Sequence, residues 1–268
     1  MALKRGEQIT AECVQIFVKS NMQWMGKPPG PAELARYQEE KTRQKLSAIF
    51  GHAGYLINLA APLSPNRDKS VQSLIQDITF AGAFGLPFLV LHPGAHLGAG
   101  KEEGLRRVIA GLDEVFRATK ESPVRVALEN TAGQGSCLGA ELEDLAAIYA
   151  GVEKPERLAV CIDTAHLFAA GHDISQPKEW DKTIARLHSL VGRAQITAFH
   201  LNDSKSALNS RVDRHEHIGQ GKIGLEAFRH IVNDARFAKT PGCLETPKSK
   251  DLHEDIENLA TLRALVKK

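Results

Sequence analysis

Short continuous apolar runs alternate along the chain with longer stretches whose apolar residues recur every three or four positions. The first kind comprises Cys13–Val18, a run starting near Ile49, Pro87–Leu91, Val124–Leu128, Leu158–Ile162, Ile196–Phe199 and Cys243–Leu244. Each predicts a strand buried on both faces. The second kind predicts helices. One opens at Pro31, with apolar positions at Leu34, Tyr37, Leu46 and Phe50. Another covers Lys69–Phe84, where Val71, Leu74, Ile75 and Ile78 keep a 3.6-residue spacing. Others are predicted over Lys101–Lys120, Leu142–Tyr149, Trp180–Val191, Leu225–Val232 and Leu252–Val266. Breakers fall between the blocks, notably Pro28–Pro31 and His92-Pro93-Gly94. Strand and helix in strict alternation predict a parallel sheet covered by helices.

The polar residues decide which parallel sheet this is. His52, His92, Glu129, Asp163, His200 and Glu245 each follow a separate strand. A doubly wound sheet gathers its ligands at one switch point, whereas the C-terminal rim of a barrel collects one from nearly every strand. The expected fold is therefore α/β, a TIM-type (β/α)8 barrel spanning 1–268 as a single domain. Seven strands are legible where a closed barrel needs eight, and Met1–Thr10 is too polar to supply another. The barrel is expected to lack its N-terminal strand.

Composition narrows the setting. A chain of 268 residues with 43% hydrophobic and 25% charged residues can bury a sizeable core. The net charge of +2 requires any DNA-binding surface to be local. The four cysteines show no CxxC or paired spacing, and Cys13, Cys161 and Cys243 fall in predicted strands. Buried, reduced thiols and a cytoplasmic location are the expectation. No stretch matches a secretory h-region or the ~18 apolar residues of a membrane span. GxSxG, Walker A and Rossmann fingerprints are absent, which removes the serine hydrolase, NTPase and dehydrogenase readings.

The richest stretch is Ile196–Gly224, which follows its strand with His200 and Asp203, then Asp213, His215 and His217, with Lys205, Arg211 and Arg214 between them. Imidazoles and carboxylates together suit zinc or a similar divalent ion, and neighbouring cations can hold a phosphate. Singly, each strand-end residue has a plain structural reading. His92 can terminate a strand, Asp163 can cap a helix, and Glu245 can be a loop acid. Jointly they predict a centre with more than one metal ion, because so many buried charges need a counter-ion. Tyr55 and Leu56, close to His52, are either core or an aromatic wedge for a base stack. His96, His172, His188, His230 and His253 read as surface or core residues.

With these motifs assembled, the chain resembles the endonuclease IV family, zinc-dependent apurinic/apyrimidinic endonucleases. The resemblance rests on HPG at His92, ENTAGQGS at Glu129–Ser136, CIDTAH at Cys161–His166, HLNDSK at His200–Lys205, SRVDRHEHIGQGKIG at Ser210–Gly224 and LETP at Leu244–Pro247. It implies three Zn2+ ions, with Mn2+ as an alternative at one site. The implied sets are His52, His92 and Glu129; Glu129, Asp163, His200 and Glu245; and His166, Asp213 and His215. It further implies cleavage 5′ to an abasic site, leaving a 3′-hydroxyl and a 5′-deoxyribose phosphate, with 3′-end trimming as a further activity. Glu245 and Glu129 would be catalytic, and Tyr55, Lys205, Arg211, Arg214 and Lys222 would contact DNA. The expected partner is double-stranded DNA with abasic or 3′-blocked sites, bound by a monomer with no membrane involvement. The family usually opens with a further strand and a Gly-rich turn that are absent here, so an open edge is expected between the Cys13 and Gly242 strands. Met22 stands where relatives often carry a basic residue, and Ala165 replaces a common Cys. The alternative is a metal-dependent sugar isomerase or epimerase using only Glu129, Asp163, His200 and Glu245. A third reading is a metal-stabilised lesion binder without turnover.

Overall fold

The computed structural model describes residues 2–44, 46–192 and 195–267. Seven parallel strands form one curved sheet: β1 (Cys13–Phe17), β2 (Ala48–His52), β3 (Phe88–Leu91), β4 (Arg125–Glu129), β5 (Leu158–Asp163), β6 (Ile196–His200) and β9 (Gly242–Cys243), paired in that order. The helices α1 (Ala2–Gln8), α2 (Pro31–Gln44), α3 (Pro65–Phe84), α4 (Lys101–Ala118), α5 (Leu142–Gly151), α6 (Thr164–Ala170), α7 (Pro177–Val191), α8 (Leu225–Val232) and α9 (His253–Leu265) connect and cover them. A two-stranded antiparallel ribbon, β7 (Asp203–Ser204) with β8 (His215–Glu216), lies beyond the end of β6. This is the expected TIM-type barrel with one strand fewer than eight.

Two cores follow from the period-2 alternation of the strands. The larger one packs the outer strand faces, through Ile49, Leu89, Val126, Leu158 and Ile162, against the helices. The smaller fills the barrel with Phe50, Phe88, Val90, Ala127, Ala159, Cys161, Ala198 and Cys243, with Cys13 against them. Alanines on three successive strands leave room for Phe50 and Phe88, whose rings stack at 4.8 Å. Phe50 thus corrects the sequence expectation that placed Leu46 and Phe50 on the helix from Pro31. That helix ends at Gln44, and the β-branched and aromatic run after Ser47 extends as β2.

The register sets the rim. Phe17 pairs with His52, His52 with Val90, Glu129 with Cys161, Asp163 with His200 and His200 with Cys243. Residues two positions beyond an interior side chain therefore face the same mouth. Phe50 leads to His52, Val90 to His92, Ala127 to Glu129, Cys161 to Asp163, Ala198 to His200 and Cys243 to Glu245. The interior run thus ends in a ring of donors.

The strands β1 and β9 are the two edges of the sheet, as the strand count anticipates, and no backbone ladder joins them among the described residues. Side chains bridge the seam instead. The Cys13 thiol donates to the Gly242 carbonyl at 3.2 Å and lies 3.7 Å from Cys243 Sγ. A cavity of about 610 Å³ opens along this seam, lined by Gly6, Val14, Phe17, Leu244, Leu259 and others. Cys161 and Cys243 are buried and Cys13 is half-buried, but Cys137 is exposed, against the expectation of buried thiols. Among the described residues, no helix is long and apolar enough to cross a membrane.

Candidate metal centre

The six strand-end residues converge. His52 Nε2 lies 3.4 Å and His92 Nε2 3.0 Å from Glu129 Oε2. On the other carboxylate oxygen, His200 Nδ1 is at 2.9 Å and His166 Nδ1 at 3.3 Å. Glu245 Oε2 reaches His200 Nδ1 at 3.1 Å. Asp163 Oδ2 lies 3.9 Å from His200 Nδ1 and 3.6 Å from His215 Nε2. Asp213 approaches from the loop beyond β6, with one oxygen 3.2 Å from His166 Nε2 and the other 3.4 Å from His215 Nε2. All nine residues proposed as ligands from sequence thus meet at one mouth. Three compact sets emerge: His52, His92 and Glu129; Glu129, Asp163, His200 and Glu245; and Asp163, His166 and His215, with potential ligand atoms in each within 4.8 Å of one another. The third takes in Asp163, which the resemblance assigns only to the second.

Tautomers are fixed from behind. A carbonyl oxygen can only accept, so a ring nitrogen facing one must carry the hydrogen. His52 Nδ1 donates to Ala53 O at 2.7 Å, His166 Nδ1 to Asn130 O at 3.0 Å and His215 Nδ1 to Glu245 O at 3.2 Å. In each neutral ring this leaves the Nε2 lone pair facing the cluster, the arrangement that orients a metal-ligating histidine. Asn130 and Asn202, both buried, hold Asp163. Asn130 exchanges two hydrogen bonds with the Asp163 backbone, at 2.9 and 3.1 Å, and Asn202 Nδ2 donates to Asp163 Oδ2 at 2.6 Å. Asp163 also caps α6, accepting the His166 N–H at 2.7 Å. Asp163 thus caps α6 through one carboxylate oxygen while the other faces His200 and His215.

The electrostatics suit a cation. Burial pushes the Glu129 carboxyl up, but the imidazoles of His200, His92 and His166 outweigh it and hold it well below the usual carboxylate range. Burial likewise pushes the His200 and His166 imidazolium ions down. Cys161, Glu129 and Glu245 around His200, and Asp163, Asp213 and Glu129 around His166, raise both rings well above the usual histidine range. Burial raises the Asp213 carboxyl too, yet His166 and His215 bring it to about 2. Even so, Glu129 Oε2 and His215 Nε2 are buried without a hydrogen-bond partner. Orphaned acceptors at the focus of imidazole and carboxylate donors fit a bound divalent metal.

Asp203, adjacent to this cluster in sequence, has another task. Its buried carboxylate accepts five backbone N–H groups, from Ser204, Gly219, Gly221, Ile223 and Gly224, at 2.7 to 3.3 Å. A Cβ at Gly221 would lie 2.4 Å from Asp203 Oδ1 and 2.5 Å from Ser204 O, so only glycine lets the loop close on it. Replacing Asp203 by Asn removes the charge and turns an NH2 toward backbone donors. The expected cost is about 3 kcal/mol, read as a lower urea midpoint with unchanged slope. A loss below about 0.5 kcal/mol would contradict the clamp, given what charged buried hydrogen bonds usually contribute.

The residues proposed for DNA surround this mouth. Tyr55 is 57% exposed, so it is not core, and its ring packs edge-on against His52 at 5.8 Å and Phe17 at 5.2 Å. Its N–H donates to Asn21 O at 3.0 Å, which joins the Tyr55 loop to the loop carrying exposed Met22. Lys205, Arg211, Arg214 and Lys222 are all exposed on the loops around β7 and β8. Arg211 is partly engaged by Glu141 at 3.2 Å, and Arg214 folds onto the Asp213 carbonyl at 2.6 Å. His217 is tied to Asn258 at 3.1 Å.

The barrel and its ring of donors place the chain among the xylose isomerase-like TIM barrels, whose family model matches residues 3–265. It is 46% identical over 263 residues to a probable endonuclease 4 of Chloroflexus aggregans, covering 98% of this chain and 92% of that protein. It is 45% identical over 264 residues to a probable endonuclease 4 of Geobacter sulfurreducens, covering 98% and 89%. The crystal structure of endonuclease IV from Thermus thermophilus superposes with a TM-score of 0.86 at 33% identity, covering 98% of this chain and 92% of that one. The chain belongs to the endonuclease IV family.

Proposed function

We propose that the protein hydrolyses the DNA backbone on the 5′ side of abasic sites, leaving a 3′-hydroxyl and a 5′-deoxyribose phosphate, with trimming of blocked 3′ ends by the same centre. The observation that carries this reading is the convergence of nine imidazole and carboxylate side chains at one barrel mouth, with exposed cations on the adjoining loops. His52, His92 and Glu129 would hold one zinc ion, Glu129, Asp163, His200 and Glu245 a second, and His166, Asp213 and His215 a third, with Mn2+ as an alternative at one site. Bound divalent metals supply a water of lowered pKa and neutralise charge on phosphoryl oxygens.

The chain's own groups do the rest. Glu129 links two of the sets, one oxygen on each side. Glu245, whose backbone N–H is held by Asn202 Oδ1 at 2.7 Å, faces the mouth beside His200 and accepts a hydrogen bond from the attacking water. Tyr55 fills space vacated when the abasic nucleotide turns outward, a motion that is easiest where no base must be unstacked. Lys205, Arg211, Arg214 and Lys222 hold phosphates. With four such contacts, the plot of log affinity for abasic duplex against log salt should slope by about −3 to −4, and each charge removed should flatten it by about 0.9. A slope near zero would remove these cations from the interface.

A sugar isomerase on the same barrel needs only Glu129, Asp163, His200 and Glu245. It leaves His52, His92, His166, Asp213 and His215, all gathered at the mouth, without work, which is why the nuclease reading is preferred. Incubating the zinc-loaded protein with a duplex carrying one tetrahydrofuran abasic analogue should give a single nick 5′ to the lesion, abolished by chelator. Intact duplex under zinc would sink the reading.

A further inference from the structure

The ring of donors has a seventh member, on the strand at the seam. Six strands place a metal-type ligand two residues after an interior side chain, and β1 places Gln15 two residues after Cys13, which packs against the barrel core. Gln15 bridges the gap that the missing ladder leaves. Its Nε2 donates to Glu245 Oε1 at 2.7 Å, and its Oε1 lies 2.8 Å from His200 Nε2. The orientation of this amide is determined by its neighbours. A carboxylate only accepts, so the NH2 must face Glu245 and the oxygen must face His200. His200 Nε2 must then carry a hydrogen, so once the ring is neutral, with a cation between it and the carboxylates, it is the Nδ1 lone pair that faces Glu129, Glu245 and Asp163. Unlike His52, His166 and His215, whose ring hydrogens go to backbone carbonyls, His200 has its tautomer set by a side chain from across the seam.

We infer that Gln15 is a positioning residue for the proposed hydrolysis: its one amide selects the His200 tautomer and aims the Glu245 carboxylate, the two ligands that complete the Glu129–Asp163 set. This rests on the metal reading given under Proposed function. It also gives the seam a role in the chemistry, because the two sheet edges meet at the rim through this side chain. Both ends of the Gln15 amide are taken up by Glu245 and His200, so its loss should appear in metal loading and turnover and leave the affinity for DNA unchanged.

The experiment uses the full chain with Gln15→Leu and Gln15→Glu, folding being checked by circular dichroism. In 15N-histidine-labelled, zinc-loaded wild type, long-range 1H–15N spectra should show His200 as the single Nε2–H tautomer. Gln15→Leu should lose that single tautomer and weaken zinc uptake, in competition with a chromophoric chelator, by about 10- to 100-fold at one site, as loss of a partner behind a ligand does. Gln15→Glu keeps an acceptor for His200 but sets a like charge against Glu245. It should restore the tautomer, leave kcat on the abasic duplex at least tenfold low and leave KM unchanged. Wild-type tautomer and wild-type zinc affinity in Gln15→Leu would overturn the inference while leaving the metal reading intact. Failure of the wild type itself to bind zinc would instead remove the reading on which it rests.

Discussion

Replacing Glu129 by glutamine should lower kcat/KM on an abasic duplex by about a thousandfold or more. Glu129 is fully buried and the only residue common to the first two donor sets. Two imidazoles face one of its oxygens and two face the other. The amide keeps the volume but loses the charge that balances those rings, and it presents an NH2 where one set needs a lone pair. Losing the several kcal/mol that a correctly placed metal contributes to a phosphoryl transition state corresponds to about three powers of ten or more. Single-turnover nicking by zinc-loaded wild type and E129Q, with circular dichroism to confirm folding, checks this. A loss under about tenfold would mean that Glu129 does not link the two sets, since each power of ten is only about 1.4 kcal/mol.

Stripping the metals should also destabilise the fold. A site held at a thousand times its Kd contributes about 4 kcal/mol, and a domain of this size shifts its Tm by about 2 to 4 °C per kcal/mol, so chelation should lower Tm by roughly 10 °C or more. The shift should depend on pH with a definite sign. In the metal-free protein His166 and His200 titrate well above the usual histidine range. Their contribution is therefore fully present below the unfolded pKa near 6.5 and is lost as pH rises through the raised values. Zinc must displace those protons, so its own contribution grows over the same range. The gap in Tm between zinc-loaded and chelated protein should widen from pH 6 to pH 8, as read by scanning calorimetry. A gap that is absent, or that narrows with pH, would contradict the assignment of these rings to the centre.

Much of this is legible in the chain because a buried parallel strand writes itself as a continuous apolar run and the rim writes itself as the polar residue that follows. His52, His92, Glu129, Asp163, His200 and Glu245 are visible on that rule alone. What escapes it does so for physical reasons. Gln15 obeys the same two-residue rule after Cys13, but an uncharged amide inside the run CVQIF carries no ligand signature. Asp203 looks like a ligand because carboxylates near histidines do. Only the folded loop shows it surrounded by backbone donors, and the glycines of HIGQGKIG are the trace of that closure. The ribbon of β7 and β8 has two residues per strand, too short to show alternation. Helix α6 has seven residues, two turns, too few for a 3.6-residue repeat to stand out between β5 and α7. Phe50 reads as helical because its spacing from Leu46 fits a helix, and tertiary burial inside the barrel overrides that periodicity.

Crystals of the zinc-loaded protein, measured on both sides of the zinc absorption edge, address the centre itself. Three anomalous peaks are expected at the barrel mouth: one among His52, His92 and Glu129, one among Glu129, Asp163, His200 and Glu245, and one among His166, Asp213 and His215. A single peak on the Glu129, Asp163, His200 and Glu245 set would match a sugar isomerase and contradict the nuclease account, and no peak at the mouth would contradict both.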